Sequence, residues 1–472
     1  MEPAMIKFGT SGFRGVIAQN FTKETVQKVA FALAKTHKSE GIIPLGFDNR
    51  FMGIHFAKWV AEVLVAYGFK VKFFEVSVPS PLIAFETAQN PFGIIITASH
   101  NPYYYSGIKL FKTGGREFTA EENLRLEKLA NRAKKIKTID FDVAKKSKQI
   151  VCTKSLSAYQ NAVLKNVDKA ALQTLKNPFI VNVMGGSAAS CLNDLISKIS
   201  AHAKVINADV NPNFGFGLPA PYRCNLGDQV AQIKAQKAAF GFALDGDGDR
   251  VSFLDENGKF YDCNYISALV YDNLCQNGAP CDFVKNCAMT GLIDKIAAAH
   301  NQKVILAKTG FKHTAQKMLE NPNAFLGAES NGIAFANHLL FKDGVFAGLK
   351  IAGIIAQNQK PLSKQIAALK KKYNFPCEVL EFAYPHTDAQ RAYIQKTLFE
   401  EKRLPKSLGL KVENVSYDDG LKITYENGYW GVLRFSGNEN VIRLFAEMPT
   451  HEMAEKMIGE YEKLIRLKTR QE

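Results

Sequence analysis

Short β-branched apolar runs alternate with segments of helical period along most of this chain, and that alternation restricts it to α/β architectures built on largely parallel sheets. Thr25 to Lys38 carries apolar residues at helical spacing, Ile42 to Phe47 reads as a strand, Ile54 to Tyr67 as a helix and Phe69 to Glu75 as a strand. Phe92 to Ile96 is apolar at every position, as a strand covered on both faces requires, and Ala120 to Lys135 reads as a helix. The pattern restarts with a strand at Phe179 to Met184, a Gly185-Gly186-Ser187 turn, a helix through Ile199 and a strand beginning at Lys204 to Asn207. Asn211 to Pro221 is a long Pro- and Gly-rich loop, and Val230 to Ala239 reads as a helix feeding the strand Phe240 to Leu244. A third unit runs from about Tyr261 to Tyr373, with helices near Ile266 to Asn277, Gly291 to His300 and Leu349 to Gln357. From Cys377 the order changes to a helix near Asp388 to Glu401, strands within Gly420 to Leu433 and at Val441 to Glu447, and a charged helix from His451.

A chain of 472 residues is too long for one core. The expected fold class is α/β, with three similar α/β domains containing mixed sheets and a smaller C-terminal α+β domain. The expected boundaries are 1–150, 151–256, 257–374 and 375–472, the first placed in the basic, poorly periodic stretch Ala133 to Lys154. Eight cysteines form no C-x-x-C pair and no zinc-finger spacing, which fits reduced thiols. Met1 to Met5 lacks a basic n-region, and runs such as Gly93 to Ala98 and Ile351 to Ala356 are too short to span a bilayer, so a cytoplasmic protein without a membrane partner is expected. The net charge of +15 sits largely on solvated faces and helix ends, such as Lys370-Lys371-Lys372, which argues against nucleic acid as a partner.

Chemistry concentrates in a few loops. Thr97-Ala98-Ser99-His100-Asn101-Pro102 places a hydroxyl nucleophile just past the end of the apolar run, where open α/β sheets build their ligand crevices. A serine that merely caps a turn would look similar. Asp245-Gly246-Asp247-Gly248-Asp249-Arg250 follows a strand and sets three carboxylates on one tight loop, a donor set of hard oxygens suited to Mg²⁺. A calcium EF-hand loop would share those aspartates and even Glu256 at its twelfth position, but it needs glycine where Arg250 stands. Phe8 to Gly15 combines glycines with the hydroxyls of Thr10 and Ser11 and the guanidinium of Arg14, which together can face a phosphate. Arg434-Phe435-Ser436-Gly437-Asn438-Glu439-Asn440, with Arg443 beyond, suits a phosphate dianion, and an ordinary hairpin turn is the alternative. Gly327-Ala328-Glu329-Ser330 offers groups that would hold sugar hydroxyls, and Lys312 is either a further anion contact or surface charge.

In this order the stretches resemble the α-D-phosphohexomutase family of phosphoglucomutases and phosphomannomutases, from Phe8 to about Glu447. The resemblance implies a four-domain enzyme around a central cleft, interconverting hexose 1-phosphate and hexose 6-phosphate (glucose, mannose or both) through a phosphoserine and a hexose 1,6-bisphosphate. It implies that Ser99 carries the phosphoryl group and that Asp245, Asp247, Asp249 and an oxygen of that phosphoserine hold Mg²⁺. Arg14, His100, Lys109 and Arg250 would surround the phosphoserine, with Lys109 or His100 as proton carrier. Glu329 and Ser330 would hold sugar hydroxyls, while Arg434, Ser436, Gly437 and Asn438 would grip the non-reacting phosphate. The expected partner is a small phosphosugar, and the expected state a monomer or homodimer. Ala328, Phe435, Asn438, Asn440 and Ser106 depart from the family pattern, and Thr10-Ser11-Gly12 is closer to the gluco/mannomutase form than to the Thr-Asp-Gly of phosphoglucosamine mutases. Phosphoglucosamine and phosphopentose mutases of the same family, and a catalytically idle phosphosugar-binding protein, are the alternatives. A serine hydrolase would require a G-x-S-x-G elbow that Ser99 lacks.

Overall fold

The apolar run Phe92–Ile96 is buried along its whole length because it lies inside a mixed sheet. In a computed structural model, which describes residues 5–9, 11–199, 202–436 and 441–467, this sheet has the spatial order Phe8–Gly9, Gly12–Val16, Tyr105–Lys112, Phe92–Ile96, Ile42–Phe47, Lys70–Phe74 and Ile150–Thr153. Phe92–Ile96 runs parallel to Ile42–Phe47 and antiparallel to Tyr105–Lys112, with Ile95 opposite Lys109. Helices Lys23–Thr36, Gly53–Ala66 and Ala120–Arg132 contribute Val26, Leu33, Val60, Leu64 and Leu126 to the core that the sheet shares. Thr22 and Thr119 close capping boxes on the first and third of these, satisfying backbone N–H groups that would otherwise be orphaned.

Three features here differ from the reading of the sequence alone. Gly12–Val16, expected as part of a loop, is a strand against Tyr105–Lys112, and that returning strand itself was not anticipated. The basic stretch in which the first domain boundary is expected carries regular structure: Asp140 caps the helix Phe141–Lys146, and Ile150–Thr153 adds to the sheet edge parallel to Lys70–Phe74. Residue 150 therefore opens a strand of this first sheet.

A second sheet has the order Ala203–Ile206, Phe179–Asn182, Phe240–Leu244, Val251–Asp255, Phe260–Tyr261. Its first three strands are parallel, and Val251–Asp255 turns back antiparallel to Phe240–Leu244. The aspartate loop thus joins two strands, which is not the helix–loop–helix of an EF-hand. Both sheets belong to one compact unit, Met1–Cys263 with Asn331–Ser363.

The other unit comprises Asn264–Ser330 and Lys364–Glu472. It contains the parallel strands Val304–Leu306, Asp282–Lys285 and Ala324–Glu329, and an antiparallel sheet of order Glu378–Pro385, Val441–Met448, Trp430–Phe435, Leu421–Tyr425, Val412–Ser416. The helix His451–Ile465 covers that last sheet with Met457, Ile458 and Tyr461. Glu447 joins the two sheets from a buried position. Its carboxylate accepts from Thr290 Oγ1 at 2.5 Å, Gly291 N at 2.8 Å and Trp430 Nε1 at 2.7 Å. Among the described residues no helix is long and apolar enough to cross a membrane.

Candidate functional site

Ser99 follows the strand Phe92–Ile96 by three residues and is buried. Its φ is +52°, a left-handed conformation that costs a non-glycine residue on the order of 1–3 kcal/mol and persists only where the surroundings over-determine it. A plain turn cap would not need that conformation. The hydroxyl Oγ donates to Asp245 Oδ2 at 2.7 Å, and His100 Nδ1 stands 3.4 Å from the same oxygen.

The aspartate loop brings three buried carboxylates together, with oxygens of Asp245, Asp247 and Asp249 within 4.8 Å of one another. Asp245 Oδ1 accepts from the backbone N–H groups of Asp249 and Arg250, both at 3.0 Å, so the first aspartate shapes its own turn. Asp247 Oδ2 accepts from Ser80 Oγ and, at 2.5 Å, from Lys109 Nζ. Lys109 also donates to Asp249 Oδ2 at 2.6 Å, and Lys342 Nζ lies 3.3 Å from Asp249 Oδ1. Burial, reinforced by Asp247 and Asp249, pushes the Asp245 carboxyl up to about 7. Burial would raise Asp249 as well, but Lys109, Lys342 and Arg250 hold it far below the usual carboxylate range. Lys109 is lowered by burial and raised more strongly by its aspartates, so it remains an ammonium.

The donor set fits a hard divalent cation. Three carboxylates converge from one loop, and Asp247 Oδ1 is buried without a hydrogen-bond partner among the described residues. Asp245, Asp247 and Asp249 would hold such an ion.

Gly246 permits this loop to approach the serine. A Cβ at that position would stand 2.7 Å from Ser99 O and 3.2 Å from the Pro219 ring. Gly246→Ala is therefore expected to fold yet lose at least about 100-fold in kcat, since misplacing reacting groups by an ångström has that effect; steady-state kinetics beside far-UV circular dichroism checks it.

The remaining residues expected around Ser99 are placed as follows. Arg14, opposite Gly107 in the sheet, donates to Asn101 Oδ1. Arg250 Nη1 donates to Tyr222 OH at 2.9 Å, and its Nε lies 3.9 Å from Asp245 Oδ2. Ser11 bonds the buried Glu117, a carboxylate that the sequence reading did not single out. Thr10 lies outside the described residues. Also missed was Asp48-Asn49-Arg50, whose charges are wholly buried beside the Ser99 loop. A fully charged pair directly after an apolar strand was the available signal.

In the other unit, Gly310 N donates to Glu329 Oε1 at 2.7 Å, which brings the turn before Lys312 against the Gly327 to Ser330 loop. Lys312 sits in the first turn of the helix Phe311–Glu320. Arg434 and Arg443 face each other across adjacent antiparallel strands. Such like-charged neighbours are unfavourable without a counter-charge. Arg443 Nη1 has one in Glu381 Oε1 at 2.6 Å, whereas Arg434 Nε is buried without a hydrogen-bond partner among the described residues. Ser436 N donates to Val441 O at 2.9 Å, and Gly437 and Asn438 lie outside the described residues. Asp419, unremarked in the sequence, joins these loops: its Oδ2 accepts from Thr309 N at 2.8 Å and Thr309 Oγ1 at 2.6 Å. The next residue, Gly420, passes so close to Arg434 that a Cβ would meet the arginine Cβ at 2.7 Å.

Residues 5–137, 157–258 and 262–373 match the models of phosphoglucomutase/phosphomannomutase alpha/beta/alpha domains I, II and III. The chain belongs to this family. A relative named phosphoglucomutase/phosphomannomutase from Thermococcus kodakarensis is 30% identical over 461 residues, covering 96% of both chains. A phosphoglucosamine mutase of Methanococcus maripaludis is also 30% identical, over 469 residues and 96% of both chains. A solved structure from Thermus thermophilus, assigned as a phosphomannomutase, shares 26% identity with a TM-score of 0.85 and covers 98% of this chain and 100% of that one. This phosphoglucomutase/phosphomannomutase family member is an intramolecular phosphotransferase of the isomerase class. The chain is thus equally similar to relatives named for different sugars.

Proposed function

We propose that this enzyme interconverts hexose 1-phosphate and hexose 6-phosphate, with glucose and mannose as its sugars, by passing a phosphoryl group between substrate and Ser99. The observation that carries the reading is the buried Ser99 hydroxyl 2.7 Å from Asp245 within a cluster of three aspartates. A phosphoryl group on Oγ would bring further negative charge to that cluster, which a bound Mg²⁺ would neutralise. Asp245, Asp247 and Asp249 would hold the ion together with a phosphoserine oxygen.

The chain's own residues then act by position. Arg14, Arg250 and Lys342 supply fixed positive charge around the reacting oxygens. His100 Nδ1, 3.4 Å from Ser99 Oγ, can take or return the proton there. Lys109 is the other proton carrier that the family resemblance offers, and its pairing with Asp247 and Asp249 makes it first a counter-ion. Transfer to the sugar yields a hexose 1,6-bisphosphate, whose other phosphate returns to Ser99. Glu329 and Ser330 are assigned to sugar hydroxyls, with Lys312 as a further anion contact. Arg434, with Ser436, Gly437, Asn438 and Arg443, is assigned to the phosphate that does not react, and an Arg434 Nε buried without a hydrogen-bond partner among the described residues supports that assignment.

Ser11, where phosphoglucosamine mutases carry aspartate, supports glucose and mannose over glucosamine. The identity shared with a phosphoglucosamine mutase favours the competing reading. A coupled assay with Mg²⁺ and the matching bisphosphate, comparing glucose 1-phosphate, mannose 1-phosphate and glucosamine 1-phosphate, decides between them. The expected result is a kcat/KM for glucose or mannose phosphate at least about tenfold above that for glucosamine phosphate, a difference of about 1.4 kcal/mol in transition-state binding. The reverse order would overturn the assignment.

A further inference from the structure

We propose that Arg50 is a positioning residue for phosphoryl transfer, its guanidinium holding the Ser99 backbone in the left-handed conformation that directs Oγ toward Asp245. The inference rests on Ser99 being the phosphoryl carrier. Arg50 lies three residues beyond the strand Ile42–Phe47, the parallel neighbour of the strand that leads to Ser99. Its side chain is completely buried, and a guanidinium in such a place cannot shed its charge, so every donor needs an acceptor.

Every donor has one. Nε bonds Asp48 Oδ2 at 3.1 Å, Nη1 bonds Pro102 O at 2.7 Å and Tyr105 O at 3.1 Å, and Nη2 bonds Ser99 O and Asn101 O, each at 2.7 Å. All but the first of these acceptors are main-chain carbonyls of one loop, which begins at the serine and ends where Tyr105–Lys112 starts. That loop is wrapped around a single planar cation. The Phe214 ring lies 5.0 Å from the guanidinium carbon and covers one of its faces.

The anionic half of the pair completes the arrangement. Asp48 Oδ2 accepts from Thr97 Oγ1 at 2.6 Å, and Thr97 Oγ1 in turn accepts from Ser99 N at 2.9 Å. Both main-chain polar groups of Ser99 are therefore referred to one buried ion pair, the N–H through Thr97 to Asp48 and the carbonyl directly to Arg50. Fixing both groups fixes the backbone torsions between them, and with them the direction of the Cα–Cβ bond. A relaxation to negative φ would turn Oγ away from Asp245. Lysine cannot replace the fork, because its three donors radiate from one point.

The test compares wild type, Arg50→Lys and Thr97→Val in the full-length enzyme, using kcat and KM for the preferred hexose phosphate. Intact-protein mass reports phosphate on Ser99, and rates are expressed per folded molecule from near-UV circular dichroism. Arg50→Lys is expected to lose about 100-fold or more in kcat while KM stays within about threefold, because orientation rather than substrate affinity is damaged. Phosphoserine hydrolysed per turnover is expected to rise in the same variant. Thr97→Val, which cuts only the N–H side, is expected to lose about tenfold in kcat. A kcat per folded molecule within twofold of wild type in Arg50→Lys would mean that the arginine only stabilises the fold, and the inference fails. Should Arg50→Lys not fold, an unchanged kcat in Thr97→Val overturns it instead. A wild type without turnover and without phosphate on Ser99 overturns the phosphoserine reading and this inference together, whereas an active wild type with an equally active Arg50→Lys overturns this inference alone.

Discussion

Ser99→Ala is expected to give a folded protein whose mutase turnover falls by at least about 10⁴-fold, because a covalent route is lost when its nucleophile is removed and no neighbouring group has the same reach. The cost to stability is small by comparison. The hydroxyl donates to Asp245 and has His100 Nδ1 at a longer 3.4 Å, and a single bond to a charged partner contributes about 1.5–3 kcal/mol. Alanine also meets the same backbone demand as serine at φ +52°, so no new strain is added. Circular dichroism like that of wild type, loss of phosphate from the intact-protein mass, and absent turnover in the coupled assay are the expected results. Full activity in this variant would remove the phosphoserine mechanism.

Asp247→Ala is expected to lose at least about 10³-fold in kcat and to abolish the Mg²⁺ dependence of what remains, since metal charge stabilisation contributes several kcal/mol to the transition state. Asp247 is chosen because its Oδ1 is a buried carboxylate oxygen without a hydrogen-bond partner among the described residues, while its Oδ2 receives Ser80 and Lys109. Removal leaves Lys109 with Asp249, so the buried ammonium keeps one counter-charge and the loop keeps its turn through Asp245 Oδ1. Titration calorimetry with Mg²⁺ gives a readout independent of turnover: wild type is expected to show one binding event and Asp247→Ala none. Unchanged binding in the variant would show that the ion is held elsewhere.

The strands and helices that form the sheet around Ser99 were legible because apolar period and β-branching report burial directly. Phe92–Ile96 and Phe240–Leu244 match the reading residue for residue. The returning strand Tyr105–Lys112 escaped because Lys109 interrupts its apolar pattern, and that lysine is buried only because Asp247 and Asp249 pair with it. The edge strand Ile150–Thr153 escaped because the residues just before it, Lys145 to Gln149, include three lysines and read as a solvated tract. Arg50, Glu117 and Asp419 carry no motif. Their partners lie far along the chain, 49 residues away for Arg50 and Ser99 and 110 for Asp419 and Thr309, so that even where a charged pair after a strand marks Arg50, the sequence does not say what it holds. Glu117 and Ser11 are joined in the same way.

Glu447 bears on how this enzyme family can vary. Its carboxylate satisfies a threonine, a backbone N–H at the start of the helix Leu292–Ala299, and the indole of its own sheet. Exchanging the C-terminal sheet alone for that of a relative without an acidic side chain there would strand the Thr290 hydroxyl and the Gly291 N–H in a dry interior, at about 1–3 kcal/mol apiece. An exchange of the C-terminal sheet is therefore expected to succeed only when it carries along the segment around Thr290 and Gly291 that its buried glutamate satisfies.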